Sequence, residues 1–176
     1  MTVTLIALAV AAAFGLAAWR GAPYLPILAR PAHDLLELAA LKPGQVLIDL
    51  GSGDGRLLKL AAKQGIRGIG YEINPIIYAI SRINCWSYRD LITIHLADYW
   101  NVRLPEADVI AVFLIARFMP RLDAKLSREL TRSTRLISHV FTIPGREPDV
   151  STKNCFEYYY ENKNIPQFVS SPNAVK

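Results

Sequence analysis

Residues 46–55, Val-Leu-Ile-Asp-Leu-Gly-Ser-Gly-Asp-Gly, restrict the possible folds of this chain more than any other stretch. Residues 46–50 form a short apolar run with one acid, the composition of a strand buried in a parallel sheet. Gly51, Gly53 and Gly55 follow as a Gly-x-Gly-x-Gly loop, and residues 56–63 have helical composition. Strand, glycine loop and helix in this order bring backbone N–H groups close to a nucleotide-like ligand. The dinucleotide version of such a loop requires its third glycine at position 56, where this chain has Arg.

The acids narrow the ligand further. Asp49 ends the strand and Asp54 lies inside the loop. A carboxylate beside a pyrophosphate is repelled, so the pair suits a ligand with a cationic end and no phosphates. S-adenosylmethionine has an ammonium, a sulfonium and a ribose, and Asp-Leu-Gly-x-Gly-x-Gly resembles motif I of the class I S-adenosylmethionine-dependent methyltransferases. An ordinary glycine-rich turn is the alternative. Residues 67–72 read as a second strand ending in Glu72, at the spacing where an acid accepts hydrogen bonds from ribose hydroxyls. Asn74 and Pro75 then read as the N-cap and first turn of a helix. A third strand over residues 91–96 is followed by Asp98; in this fold an acid there commonly accepts from an adenine amino group. Three acids at successive strand ends mark the carboxyl edge of an open α/β sheet.

The expected fold is α/β: a doubly wound, Rossmann-like, mostly parallel sheet. Further strands are expected over residues 108–113 and 135–143, with a final edge strand over 156–161. Helices are expected over 32–41, 56–64, 75–88 and 120–130. Only about 116 residues run from the first strand to Glu161, so we expect a compact core with one or two strands trimmed and an open acceptor cleft.

Hydrophobic content is 52%, above that of an ordinary soluble domain. The excess sits in residues 3–19, a run of 17 without a charge that ends in Trp19 and precedes Arg20. A spanning helix needs ~20 residues, with roughly 17 the lower limit. We therefore expect residues 1–20 to be a transmembrane anchor with the catalytic part facing the cytoplasm. A cleaved signal peptide and a packed helix are the alternatives. Residues 21–31 contain three prolines and read as a juncture, residues 32–162 as the methyltransferase domain, and residues 163–176 as a disordered tail.

Cys85 and Cys155 form neither a disulfide framework nor, with the scattered His33, His95 and His139, a metal spacing. Net charge is +5, concentrated between Arg117 and Arg135, where six basic residues recur at helical spacing. A solvated helix face, anionic lipid headgroups or an acidic partner would each account for it. No basic stretch with interleaved aromatics points to nucleic acid.

The order of segments carries a closer resemblance. Ala22-Pro23-Tyr24-Leu25-Pro26 precedes residues 47–56, Gly-Tyr-Glu-Ile-Asn-Pro at 70–75, Asp-Tyr-Trp-Asn-Val at 98–102 and Phe118-Met119-Pro120. This arrangement resembles the small membrane-associated lysine methyltransferases related to the ATP synthase c-subunit lysine N-methyltransferase. The resemblance implies a protein-lysine N-methyltransferase acting on a membrane-associated protein. It implies S-adenosylmethionine held by Asp49, Gly51, Ser52, Gly53, Asp54, Gly55, Glu72, Asn74 and Asp98, with no metal. Residues 114–120 depart from the family pattern of Gly, Pro and Gln before Met-Pro, and Arg117 there would disfavour an incoming ammonium. A lysine acceptor must first lose a proton, from a reference pKa of ~10.4. Tyr71, Asp98, Tyr99 and Trp100 are the candidates near the cleft, without one assigned as the base. A small-molecule or lipid methyltransferase with the same donor site, and a non-catalytic donor-binding membrane protein, are the alternatives. Acceptor identity and oligomeric state are not legible in the sequence.

Overall fold

A computed structural model of the protein describes residues 29–152 and 154–161. Seven strands form one sheet: β1 (Val46–Leu50), β2 (Arg67–Glu72), β3 (Ile92–Leu96), β4 (Val109–Val112), β5 (Thr134–His139), β6 (Val150–Thr152) and β7 (Cys155–Tyr160). Their spatial order is β3-β2-β1-β4-β5-β7-β6. The first five strands pair in parallel, and β7 runs antiparallel between β5 and β6. The order reverses between β1 and β4, the switch point at which such sheets open a crevice.

Among the described residues, four α-helices accompany the sheet: α1 (Ala29–Ala39), α2 (Arg56–Ala62), α3 (Pro75–Asn84) and α4 (Met119–Glu129). Strand alternation decides which face each meets. Leu47, Val109 and Ile137 pack with Leu35, Leu36 and Leu57 of α1 and α2, while Leu58 packs with Ile92, Ile94 and Cys85 beside α3. Ile48, Leu50, Ile110 and Leu136 turn the other way, onto Met119, Leu122 and Leu126 of α4. Each fully buried Leu or Ile contributes roughly 1.5–3 kcal/mol by leaving water.

All seven strands are present, so the expectation of a trimmed sheet is corrected. The economy lies in the connections: residues 97–108, joining β3 to β4, and residues 140–149, joining β5 to β6, form no helix. On the α4 face, Leu104, Ala107 and Ile143 of these connections cover the core. A cleft of about 560 Å³ lined by Tyr71, His95 and Leu104 remains beside them. The expected edge strand is internal as β7. The true edge, β6, is not legible in the sequence because its exposed Val150-Ser151-Thr152 carries no apolar alternation.

The membrane-anchored location is also corrected. No helix among the described residues is long and apolar enough to cross a membrane. The longest, α1 and α4, have 11 residues, about 16 Å at 1.5 Å per residue, against a hydrocarbon core of ~30 Å. The apolar run at 3–19, the juncture up to residue 28 and the segment 163–176 lie outside the described residues.

Candidate functional site

The glycine loop turns at the end of β1, with Gly51, Gly53 and Gly55 all at positive φ. Its N–H groups are tied to the next strand: Gly51 and Ser52 both donate to the Tyr71 carbonyl at 2.9 Å. A Cβ on Gly55 would lie 2.6 Å from Cys85 Sγ, so this glycine lets the start of α2 close against the end of α3. Gly70 serves the same purpose in β2, where a Cβ would stand 2.7 Å from both Leu58 Cδ1 and Ser52 Oγ. The sequence reading missed Gly70, which is legible only as a second glycine in a strand otherwise suited to side chains.

Glu72 locks the loop to the second strand. Its Oε2 accepts from the Gly53 N–H at 3.0 Å and its Oε1 from the Asn74 N–H at 2.8 Å. Asn74 in turn caps α3, its Oδ1 accepting from Ile76 at 2.9 Å and Ile77 at 3.2 Å. Burial raises the Glu72 carboxyl above its ordinary range, with the backbone donors pulling the other way. The Asn74 Nδ2 and Ser52 Oγ are buried without a hydrogen-bond partner among the described residues.

Asp49 is the most perturbed acid. It is 2% exposed, and no described residue donates a hydrogen bond to its carboxylate. Burial, then the negative charges of Glu72 and Asp54, push its pKa from 3.8 to about 7. Asp49 pairs in register with Gly70, so Asp49 and Glu72 share the α1–α3 face of the sheet at adjacent strand ends. Asp54 turns instead onto Arg56, accepting from its backbone N–H and from Nη2, both at 3.1 Å.

Asp98 lies two residues past β3. Its Oδ1 accepts from the Trp100 N–H and its Oδ2 from Asn101 Nδ2, both at 3.0 Å, which closes the turn. Tyr99 stacks at a tilt on Trp100, 4.8 Å between centroids. Burial, then Asp98, push the Tyr99 hydroxyl up; Arg121 pulls it down, and Glu72 raises it further. Tyr99 thus lies within electrostatic reach of Glu72. Tyr71 goes elsewhere: with Leu50 it faces the opposite side of the sheet, stacked on His95 at 5.2 Å. Only its carbonyl serves the loop.

At the carboxyl ends of β4 and β5, Phe113 meets His139 edge-on at 5.3 Å. His139 is buried, with Nδ1 unpartnered among the described residues, and burial lowers its pKa while Asp34 of α1 opposes the shift. Sequence reading sets this histidine aside because it has no neighbour in the chain; register brings it to Phe113 and Cys155. Among the described residues no group of three or more His, Cys, Asp or Glu could hold a metal ion.

A family model described as the ANTKMT methyltransferase domain matches residues 49–150. The chain is 34% identical over 129 residues to the ATP synthase c-subunit lysine N-methyltransferase of Xenopus laevis, covering 72% of this chain and 57% of that protein. It is 33% identical over 130 residues to a protein-lysine N-methyltransferase of Saccharolobus islandicus, covering 72% of this chain and 81% of that protein. Among solved structures, an RNA methyltransferase from Salinibacter ruber in complex with S-adenosyl-L-homocysteine superimposes with a TM-score of 0.70 at 30% identity, over 81% of this chain and 97% of that one. The chain thus spans little more than half the length of the Xenopus relative.

Proposed function

The chain belongs to the ANTKMT methyltransferase domain family, and on that premise we propose that it is an S-adenosylmethionine-dependent protein-lysine N-methyltransferase, with residues 32–162 as its catalytic domain. The observation that carries this reading is the buried Asp49 carboxylate. It faces the charges of Glu72 and Asp54, takes no hydrogen bond from a described residue, and is paired with no described lysine or arginine. Uncompensated buried charge is costly, and a ligand with a cationic end and no phosphates relieves it.

In this reading Asp49 faces the positive end of the donor. The backbone of Gly51, Ser52, Gly53 and Gly55 lies against it, Glu72 accepts from the ribose hydroxyls, and Asp98 accepts from the adenine amino group. Asn74 holds Glu72 and α3 in register. Asp54 contributes its charge to Asp49 while its carboxylate is engaged by Arg56. When bound, S-adenosylmethionine would supply an electrophilic methyl, which the lone pair of a neutral amine would take as the S–C bond breaks and the sulfur leaves as a thioether. The chain's own contribution is positioning and exclusion of water. Asp98, Tyr99 and Trp100 line the acceptor side, where the proton must leave; Tyr71 contributes through its carbonyl rather than its hydroxyl.

The test is calorimetric titration of the chain with S-adenosylmethionine and S-adenosylhomocysteine, followed by incubation with radiolabelled donor and candidate acceptor proteins. We expect binding of both and label in the lysines of a protein. Label confined to a lipid or small-molecule fraction would overturn the lysine assignment, and no binding by a folded sample would overturn the donor site.

A further inference from the structure

The basic run between Arg117 and Arg135 divides once the chain is folded. Lys125 is buried and donates to Glu129 at 2.6 Å and to the Val102 carbonyl at 2.7 Å. Arg128 pairs with Glu129 at 2.9 Å, Arg132 with Asp108 at 2.7 Å and Arg135 with Glu157 at 2.9 Å. Arg117 and Arg121 differ. Both are exposed, and neither pairs with a carboxylate among the described residues. Each guanidinium lies over a ring instead: Arg117 over Phe118 at 4.6 Å and Arg121 over Trp100 at 4.2 Å. Trp100 and Phe118 are 6.3 Å apart, so the four side chains form one continuous surface with Tyr99 packed against it. The Ala97 N–H donates to the Glu72 carbonyl at 3.0 Å and Asp98 accepts from the Trp100 N–H at 3.0 Å, which sets this surface beside the mouth of the site.

We propose that this surface receives an acidic segment flanking the target lysine of the acceptor protein, an inference that rests on the lysine methyltransferase reading. Two uncompensated cations at the entrance repel an isolated ammonium, so the acceptor must bring negative charge of its own. A guanidinium already seated over a ring keeps N–H donors free and presents them in restricted geometry, which suits bidentate capture of a carboxylate. The other four basic residues are held by Glu129, Asp108 and Glu157. Hence no continuous cationic track exists among them for a polyanionic backbone.

The experiment compares peptides with a central lysine flanked by Asp and Glu against the same peptides flanked by Gln. The full chain is used, with Arg117→Gln, Arg121→Gln and the double variant, and with a double Lys variant that keeps the charges. Binding to the chain saturated with S-adenosylhomocysteine is read by fluorescence anisotropy, and methyl transfer is read separately. Two exposed ion pairs predict a preference of roughly 2- to 30-fold for the acidic peptide, weakening as salt rises. The preference disappears in the double Gln variant and survives in part in the double Lys variant. Affinity for S-adenosylhomocysteine stays unchanged, and the Gln-flanked peptide, relieved of the two cations, binds no more weakly than before. Equal binding of the two peptides overturns the proposal, as does a preference that persists in the double Gln variant. So does stronger competition at these arginines by anionic vesicles or an RNA oligomer than by the acidic peptide. Charge-selective binding with no methyl transfer would instead overturn the lysine reading and leave the docking surface standing.

Discussion

Asp49 and Glu72 end adjacent parallel strands on the same face of the sheet, and the charge of Glu72 adds to burial in lifting the Asp49 carboxyl to about 7. A cationic ligand favours the ionised form, so below pH 7 it must displace a proton. The affinity for S-adenosylmethionine is therefore expected to fall about tenfold per pH unit below 7 and to flatten above it. Titration calorimetry in buffers of different ionisation enthalpy checks this through the proton released; a flat profile from pH 5.5 to 8 would contradict it.

The same carboxyl makes the unliganded fold sensitive to pH in the opposite sense. A folded-state pKa above the unfolded value gives stability that is complete below about 3.8 and lost as pH rises through about 7. Asp49→Asn removes the ionisable group while preserving size. The variant is expected to gain about 2–3 kcal/mol on the wild type between pH 5 and pH 8, at 1.36 kcal/mol per pKa unit, while losing donor binding. Urea unfolding at the two pH values measures the first effect and calorimetry the second.

Glu72→Gln tests the lock between strand and loop. The glutamine amide has one acceptor oxygen, so the Gly53 and Asn74 N–H groups can no longer both be served. We expect a loss of roughly 1–3 kcal/mol in stability and faster amide exchange at Gly53, measured by chemical unfolding and hydrogen exchange. Unchanged exchange at Gly53 would show that the loop holds itself.

Gly55→Ala forces a Cβ to within 2.6 Å of Cys85 Sγ at a left-handed φ of 78°. The combined strain and overpacking are expected to cost roughly 2–4 kcal/mol. If the close approach accounts for part of that cost, Cys85→Ala in the same chain restores that part and leaves the backbone strain. Thermal unfolding of the single and double variants separates the two.

Lys125 is nearly buried and holds the Val102 carbonyl against α4. Its replacement by Met keeps the apolar stem and strands both partners, an expected loss of roughly 1–3 kcal/mol. Burial works to raise the Glu129 carboxyl, but the hydrogen bonds from Lys125 and Arg128 outweigh it and hold the group below its ordinary value. That stabilisation is present above the unfolded pKa and disappears as pH falls through the folded one. The difference between wild type and variant should therefore narrow in acid, as followed by unfolding at pH 3 and pH 7.

The chain itself carries the strand–loop–helix unit, the three acids at successive strand ends and the capping role of Asn74. All of these depend on local order: apolar runs set strands, glycines at fixed spacing set the turn, and Asn before Pro starts a helix. The trimmed connections were legible only as missing length, and the reading removed strands where the fold removed helices. A parallel strand cannot be omitted without exposing its neighbours' hydrogen-bonding edges, whereas loop side chains such as Leu104 and Ile143 can replace a helix over one face.

Sequence alone determined the α/β class and the acids at successive strand ends, because those follow from spacing along the chain. Tertiary structure decided which neighbours those residues have. It sent Tyr71 to the far face by strand alternation and brought His139 to Phe113 from the neighbouring strand. It also divided one run of six cations into four held by carboxylates and two, Arg117 and Arg121, laid on aromatic rings. The physical reason is that charge and burial depend on distance in space, and the crossovers of a parallel sheet bring together groups that are many residues apart in the chain.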